Sequence, residues 1–244
     1  MKSLISICIP INLKNRQEIA AALEERYSTE YIFMGRIFQS TITQKSCGID
    51  IIANREGNLA EDFQLAAQDK LDLATVGEIN HCPLVIYLTS TTTGLNACRE
   101  MAEFAQVLLQ IGGIAVKVES AGIAHDQPRW LAYYDTDDMF EIYSLFVILI
   151  AGEDYYYSCG MHNFGKADVA ISITEDLGLA IYVMNVFNYY RLTESPILQD
   201  GHTFQPDIEC PRYQIEWMID RENARDSYQH NPQGRWRLQR CDQS

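Results

Sequence analysis

The chain has 244 residues, 47% of them hydrophobic and 21% charged, which excludes wholesale disorder, a collagen-like repeat and a disulfide miniprotein. Lys and Arg number 19 against 33 Asp and Glu, a formal net charge of -14, so a broad basic face for nucleic acid is not expected. No apolar run approaches the roughly 18 residues of a membrane span, and the seven cysteines are odd in number and never form a C-x-x-C pair, the usage of a reducing, cytoplasmic compartment.

In chain order, residues 4–13 read as a buried core strand rather than a leader, because Lys2 is the only charge ahead of the run, Pro10 interrupts it and no cleavage pattern follows. Asn15 with Glu18 three positions on is a capping-box start for a helix to about Tyr27. Residues 31–42 and 48–53 are aromatic and β-branched, which predicts a hairpin turning at 44–47. A short helix from Asn58 to about Gln68 and a buried strand at 84–89 complete the order βαββαβ of a ferredoxin-like unit.

A long amphipathic helix then starts in the hydroxyl-rich 91–93 region and ends at Gly112 and Gly113. Beyond it come a strand at 114–119, helix over 127–143, strand within 144–157, a strand at 167–173 and a very apolar helix capped by Thr174 and running to about Tyr190. The fold class predicted is α+β, a mixed, largely antiparallel sheet with helices packed on it, over 1–244 as one compact domain. Two ferredoxin-like halves (1–111 and 112–199) are one arrangement and a single mixed sheet is the other. In the remaining hairpin and tail (200–244), Asp200-Gly201 is a hairpin turn, 213–218 a short strand, and 235–240 an edge strand with Trp236 and Leu238 inward and its arginines facing water or the acidic middle region.

Charge is uneven along the chain. Between Asp126 and Asp176 there are ten acidic residues against Arg129 and Lys166 alone, whereas the tail from Arg221 carries five arginines against three acids. The acidic middle would draw a basic protein partner, and the adjacent tyrosines at 133–134, 155–157 and 189–190 would supply contact area.

The densest candidate for chemistry is 154–165. Strand alternation would place Asp154, Tyr156 and Ser158 on one face and Tyr155, Tyr157 and Cys159 on the other, with His162 and Asn163 in a turn between Gly160 and Gly165. That turn either presents polar groups to a ligand or bonds the loop to itself. A second candidate, Glu119-Ser120-Ala121-Gly122 followed by His125, lies at a strand's carboxyl end. Ser120 copies half of a G-x-S-x-G elbow, but Val118 stands where the first glycine should. If both segments share a sheet edge, Glu119, His125, Asp154 and His162 would form a nitrogen and carboxylate set suited to a divalent metal, while Cys159 and His162 would pose as thiol and base. The alternative is satisfied structural histidines and a buried small thiol.

The segments Gly112–His125, Tyr156–Gly165 and Asp200–Phe204 resemble those of an uncharacterised bacterial domain family carrying G-G-x-A-V-K-V-E-S-x-G-x-A-H, Y-Y-S-C-G-M-H-N-F-G and D-G-H-T-F. The resemblance spans residues 97–238 and implies a bacterial origin and a compact α+β domain, but no reaction, cofactor or catalytic residue. Three functions stay open: a non-catalytic protein-binding module of the immunity or accessory type, using its acidic surface; a metal-dependent or Cys/His hydrolase centred on His125 and His162; and a homodimer joined through the apolar helix 177–190 or an edge strand.

Overall fold

The first strand, β1 (Ile5–Ile11), is buried along its whole length, because helices cover both of its faces. The computed structural model describes residues 5–55, 57–134 and 138–241, and within them the chain is an α+β fold of seven α-helices and two sheets. After β1 come α1 (Arg16–Tyr27), β2 (Tyr31–Met34), β3 (Ile37–Ser40), β4 (Ser46–Ala53), α2 (Leu59–Ala66), α3 (Leu73–His81), β5 (Leu84–Ser90), α4 (Leu95–Leu109), β6 (Ala115–Val118) and β7 (Ile123–Asp126). These strands form one seven-stranded sheet in the order β2-β3-β4-β5-β1-β6-β7, antiparallel throughout.

Ile5, Ile7, Ile9 and Ile11 point to one face, where they share a core with Ile19 and Leu23 of α1 and Met101, Ala105 and Leu108 of α4. Cys8, on the opposite face, belongs to a second cluster with Phe63 of α2 and Ile79 of α3. The Asn15 side chain accepts from the Glu18 amide at 2.9 Å, and Glu18 reaches back to the Lys14 amide at 2.8 Å. This reciprocal cap starts α1 where the sequence places it. Asn15→Ala is expected to cost about 1 kcal/mol in a urea melt; an unchanged midpoint would show that the cap is redundant.

After α5 (Gln127–Tyr134) and α6 (Met139–Phe146), the chain builds a second sheet from β8 (Ile148–Ala151), β9 (Tyr155–Cys159), β10 (Asp168–Ser172), β11 (Thr203–Phe204), β12 (Tyr213–Met218) and β13 (Arg235–Arg240). Its order is β11-β12-β13-β10-β9-β8, with β10 and β13 as its parallel pair. Helix α7 (Leu177–Thr193) covers one face through Ala180, Val183, Met184 and Phe187, packed on Val169, Ile171, Ile215 and Leu238.

One ferredoxin-like unit is present, and its members differ from those expected. Strands β6-β1-β5-β4 stand side by side, with α1 joining β1 to the β4 side and α4 joining β5 to β6, both helices on one face. The hairpin β2–β3 and helices α2 and α3 are insertions into this unit. Its last strand therefore comes from beyond residue 111, and the second sheet, with its parallel pair, does not repeat it. The sheets divide the chain between Asp126 and Ile148 rather than at 111 and 112. Gly112 and Gly113 make this possible by returning the chain directly to β1, with the Asn12 amide on the Gly112 carbonyl at 3.0 Å and the Ile114 amide on the Pro10 carbonyl at 2.9 Å. A Cβ on Gly113 would lie 2.9 Å from the Leu108 carbonyl.

Other expectations are corrected locally. Gly35, at φ +62°, turns the chain within 31–42, so one predicted strand is two. Helix α3, capped by Asp72 on the Thr75 amide at 2.7 Å, and strand β7 fall in stretches the sequence left unassigned. The hydroxyls before α4 do not cap it; its N-cap is Gly94, whose amide donates to the Asn163 carbonyl at 2.8 Å. Helix α7 begins at Asp176, not Thr174, with Asp176 accepting from the Leu179 amide at 2.9 Å. The turn at Gly201 leads into β11, whose partner β12 lies beyond an intervening loop. Strand β13 is interior, between β12 and β10.

Candidate functional site

Two places in the fold collect several of the residues singled out by the sequence. The first is a buried polar joint where the 3-10 helix Met161–Phe164 meets the loop 219–234. Gly160 and Gly165 bracket that short helix at φ +119° and +69°, and all four of its residues are buried. Asn163 is fully buried; its Nδ2 donates to the Phe146 carbonyl at 3.2 Å, and its carbonyl accepts from the Gly94 amide. The turn is thus bonded to α4 and α6 as well as to itself, the Asn163 amide donating to the Gly160 carbonyl at 3.0 Å and the Gly165 amide to the His162 carbonyl at 2.9 Å.

Alternation along β9 is as expected over Tyr155–Cys159: Tyr156 packs with the α7 core, Tyr155, Tyr157 and Cys159 with the other face. Asp154 lies exposed in the turn before the strand. Ser158 donates to Asp168 at 3.1 Å and accepts from the Val169 amide at 3.0 Å. Asp168 also accepts from the Met161 amide at 3.1 Å and from Asn231 Nδ2 at 2.7 Å. Burial raises its carboxyl to about 6 against these bonds and the nearby Arg235.

Asp220 organises the loop above. It pairs with Arg235 at 2.7 Å, lies 3.5 Å from His230 Nδ1, and accepts from the amides of Glu222, Asn223 and Asn231. Arg235, expected to face water or the acidic middle region, is buried and stacks on Tyr157 at 4.1 Å from the ring centroid. His162 lies under this loop with neither ring nitrogen in a hydrogen bond. Burial pushes it down to about 4, although the carbonyls of Tyr228 and Ser120 and the charge of Asp220 act the other way.

His125 is held elsewhere: its Nε2 donates to the Leu145 carbonyl at 3.1 Å and its ring lies 5.8 Å from that of Trp130. Burial likewise lowers it to about 4. Glu119 pairs with Lys117 at 3.1 Å, and fully buried Ser120 accepts from the Ser6 amide at 3.4 Å. Glu119, His125, Asp154 and His162 therefore do not form one ligand set, and among the described residues no group of three or more His, Cys, Asp or Glu is arranged to hold a metal ion.

The Cys159 thiol is raised far above its ordinary value, by burial first and by the Asp168 charge next. That is opposite to what a nucleophile needs. The joint's hydrogen bonds hold β9, β10, α4 and the loop together, and leave both His162 ring nitrogens and Asn163 Oδ1 without one. Sequence reasoning did not single out Asp168, Asp220, His230, Asn231 or Arg235 as site residues. Asp168 had a signal of its own, a carboxylate opening an otherwise apolar strand.

The second place is the outward side of α7. In this 17-residue helix the only charged residue, Arg191, is turned inward, its Nη1 donating to the Ala167 carbonyl at 2.7 Å. Leu177, Ile181, Tyr182, Tyr189 and Tyr190 are exposed on the other side. Of the remaining tyrosines, 155 and 156 are half-buried and Tyr157 is buried; the side chains of those at 133 and 134 lie outside the described residues. All seven cysteines are free, five of them buried, and no helix among the described residues is long and apolar enough to cross a membrane. No known protein family, curated protein or solved structure matches the chain.

Proposed function

We propose that this chain is a non-catalytic protein-binding module, of the immunity or accessory type, that engages a basic protein partner through its acidic middle region. The observation that carries this reading is the exposed side of α7, because a helix that is apolar all round belongs inside a larger assembly. It follows directly on the acidic middle, and residues 138–212 around it hold eleven Asp and Glu against Lys166, Arg191 and Arg212. A hydrolase reading has less support, since burial holds the Cys159 thiol protonated and pushes His125 and His162 down, which leaves all three neutral near pH 7.

Opposite charge speeds association more than it deepens affinity. Immobilised full-length chain should capture a partner of net positive charge from native extract, with an association rate that falls about tenfold or more from low to high salt. Neutralising Glu141, Glu194, Asp207 and Glu209 to the matching amides should remove most of that salt dependence. Failure to capture any basic protein at low salt would overturn the reading.

A further inference from the structure

We infer that the outward face of α7, together with the groove beside its C-terminal half, is the docking site for a basic amphipathic α-helix of a partner protein. This inference rests on the protein-binding reading above and gives that reading a place and a ligand chemistry.

Exposed or half-exposed residues recur on α7 in adjacent pairs every four positions: Leu177 and Gly178, Ile181 and Tyr182, Asn185 and Val186, Tyr189 and Tyr190. Asn185 is the single polar side chain among them apart from the tyrosine hydroxyls, and its Oδ1 already accepts from the Tyr143 hydroxyl at 2.9 Å. Residues four apart form a continuous ridge along a helix, and ridges of this kind are what the grooves of a second helix accept. From Leu177 to Tyr190 the ridge runs about 20 Å, long enough for some four turns of a partner.

Beside its second half lies an open groove of about 720 Å³ lined by Val186, Tyr190, Pro196, Ile197 and Phe204. Ile197 in that lining is 86% exposed, a bare aliphatic side chain for a partner to cover. The matching ligand presents an apolar stripe at helical spacing, the helix-in-groove mode of recognition.

Charge selects among the occupants of such a face. Asp176 stands at the N-terminus of α7, Glu194 at its C-cap, and Asp207 is held against it by the Tyr182 hydroxyl at 2.9 Å. Glu141 lies on α6 next to Phe140, whose ring packs edge-on to Tyr189. Lys166 reaches the C-terminal edge, bonding Ser195 at 3.2 Å. A second copy would bring two acidic rims together, and an anionic lipid surface would be repelled in the same way. A helix with lysine or arginine flanking its apolar stripe is complementary to both the ridge and the rim.

The test uses a fluorescent peptide of about 18 residues, leucine and lysine at helical spacing, beside a scrambled peptide of the same composition and a leucine–glutamate version. Anisotropy is read on the full chain, on Ile181→Ser with Tyr189→Ser, on Ile197→Ser, and on Leu65→Ser as a control on α2. The altered side chains are solvent-exposed, so each variant should fold, which circular dichroism confirms before use. The ordered basic peptide should bind and the other two should not; the α7 and Ile197 variants should weaken it roughly tenfold or more, with Leu65→Ser unchanged. Equal binding of the scrambled peptide, or binding that the apolar variants leave intact, overturns the helix-docking inference while leaving a charge-driven module standing. So does absence of peptide binding alongside successful capture of a basic protein from extract. A dimer in sedimentation that Ile181→Ser with Tyr189→Ser dissolves would overturn it in favour of a second copy of the chain.

Discussion

Gly160→Ala should be among the most damaging single substitutions in the chain, lowering stability by about 4 kcal/mol or preventing folding. At φ +119° the backbone is in a region that side-chain-bearing residues rarely enter, and a Cβ would stand 2.1 Å from the Phe146 carbonyl and 2.9 Å from Ala121 Cβ. That carbonyl already accepts from Asn163 Nδ2, so any retreat of the backbone breaks the bond holding the short helix to α6. Gly94 provides the internal comparison. Its φ is +116°, yet nothing lies within 4 Å of its missing Cβ, so Gly94→Ala pays backbone strain alone, roughly 1–2 kcal/mol. Denaturant titration of both variants separates the two costs. Equal losses would mean that the close approach at Gly160 relaxes freely.

Acid should weaken the fold by about 3 kcal/mol between pH 7 and pH 4. His125 and His162 are both lowered to about 4 by burial. Between that value and the ordinary histidine value near 6.5, the unfolded chain binds protons that the folded chain refuses, so stability falls as pH falls. Asp168 acts in the opposite sense. Raised to about 6, it holds a proton in the folded state that an unfolded carboxylate has released, so its contribution grows on acidification through the same window. Each histidine contributes about 3 kcal/mol of loss and Asp168 returns a similar amount, which leaves the net fall at about one histidine's worth. Guanidinium melts across this range check the sum, and two variants check its parts. Asp168→Asn should steepen the acid loss, and His162→Gln should flatten it whatever it does to stability at pH 7. A flat profile in the parent chain would show that both histidines are solvated enough to charge in the folded state.

Much of the fold was legible because it is written in local periodicity. The uninterrupted apolar run of β1 announced a strand covered on both sides, Asn15 and Glu18 announced the start of α1, and the stripe from Leu95 to Leu109 announced α4. The βαββαβ order was also legible, but the identity of its strands was not. Strand pairing depends on contacts between distant residues, so nothing near β6 revealed that it would lie against β1 rather than open a second unit. Single glycines had a similar effect: Gly35 cut one predicted strand into two through a backbone angle that leaves no mark on hydrophobic pattern.

The candidate residues divided along the same line. That the segment 154–165 would form a glycine-bounded turn after an alternating strand, and that α7 would be unusually apolar, followed from the sequence by itself, since both are properties of consecutive residues. Only the tertiary structure decided that His125 would bond the Leu145 carbonyl while both ring nitrogens of His162 would be left without a hydrogen bond, that Asp154 would face water, and that Arg235 would be drawn inward by Asp220. A charged side chain's fate depends on whether a partner of opposite sign reaches it when water is excluded, and that partner stands fifteen residues away on the far side of a loop. The same holds for α7: composition makes it apolar on every side, but which side meets the sheet and which is left for a partner is settled by how the helix is laid on β10, β12 and β13.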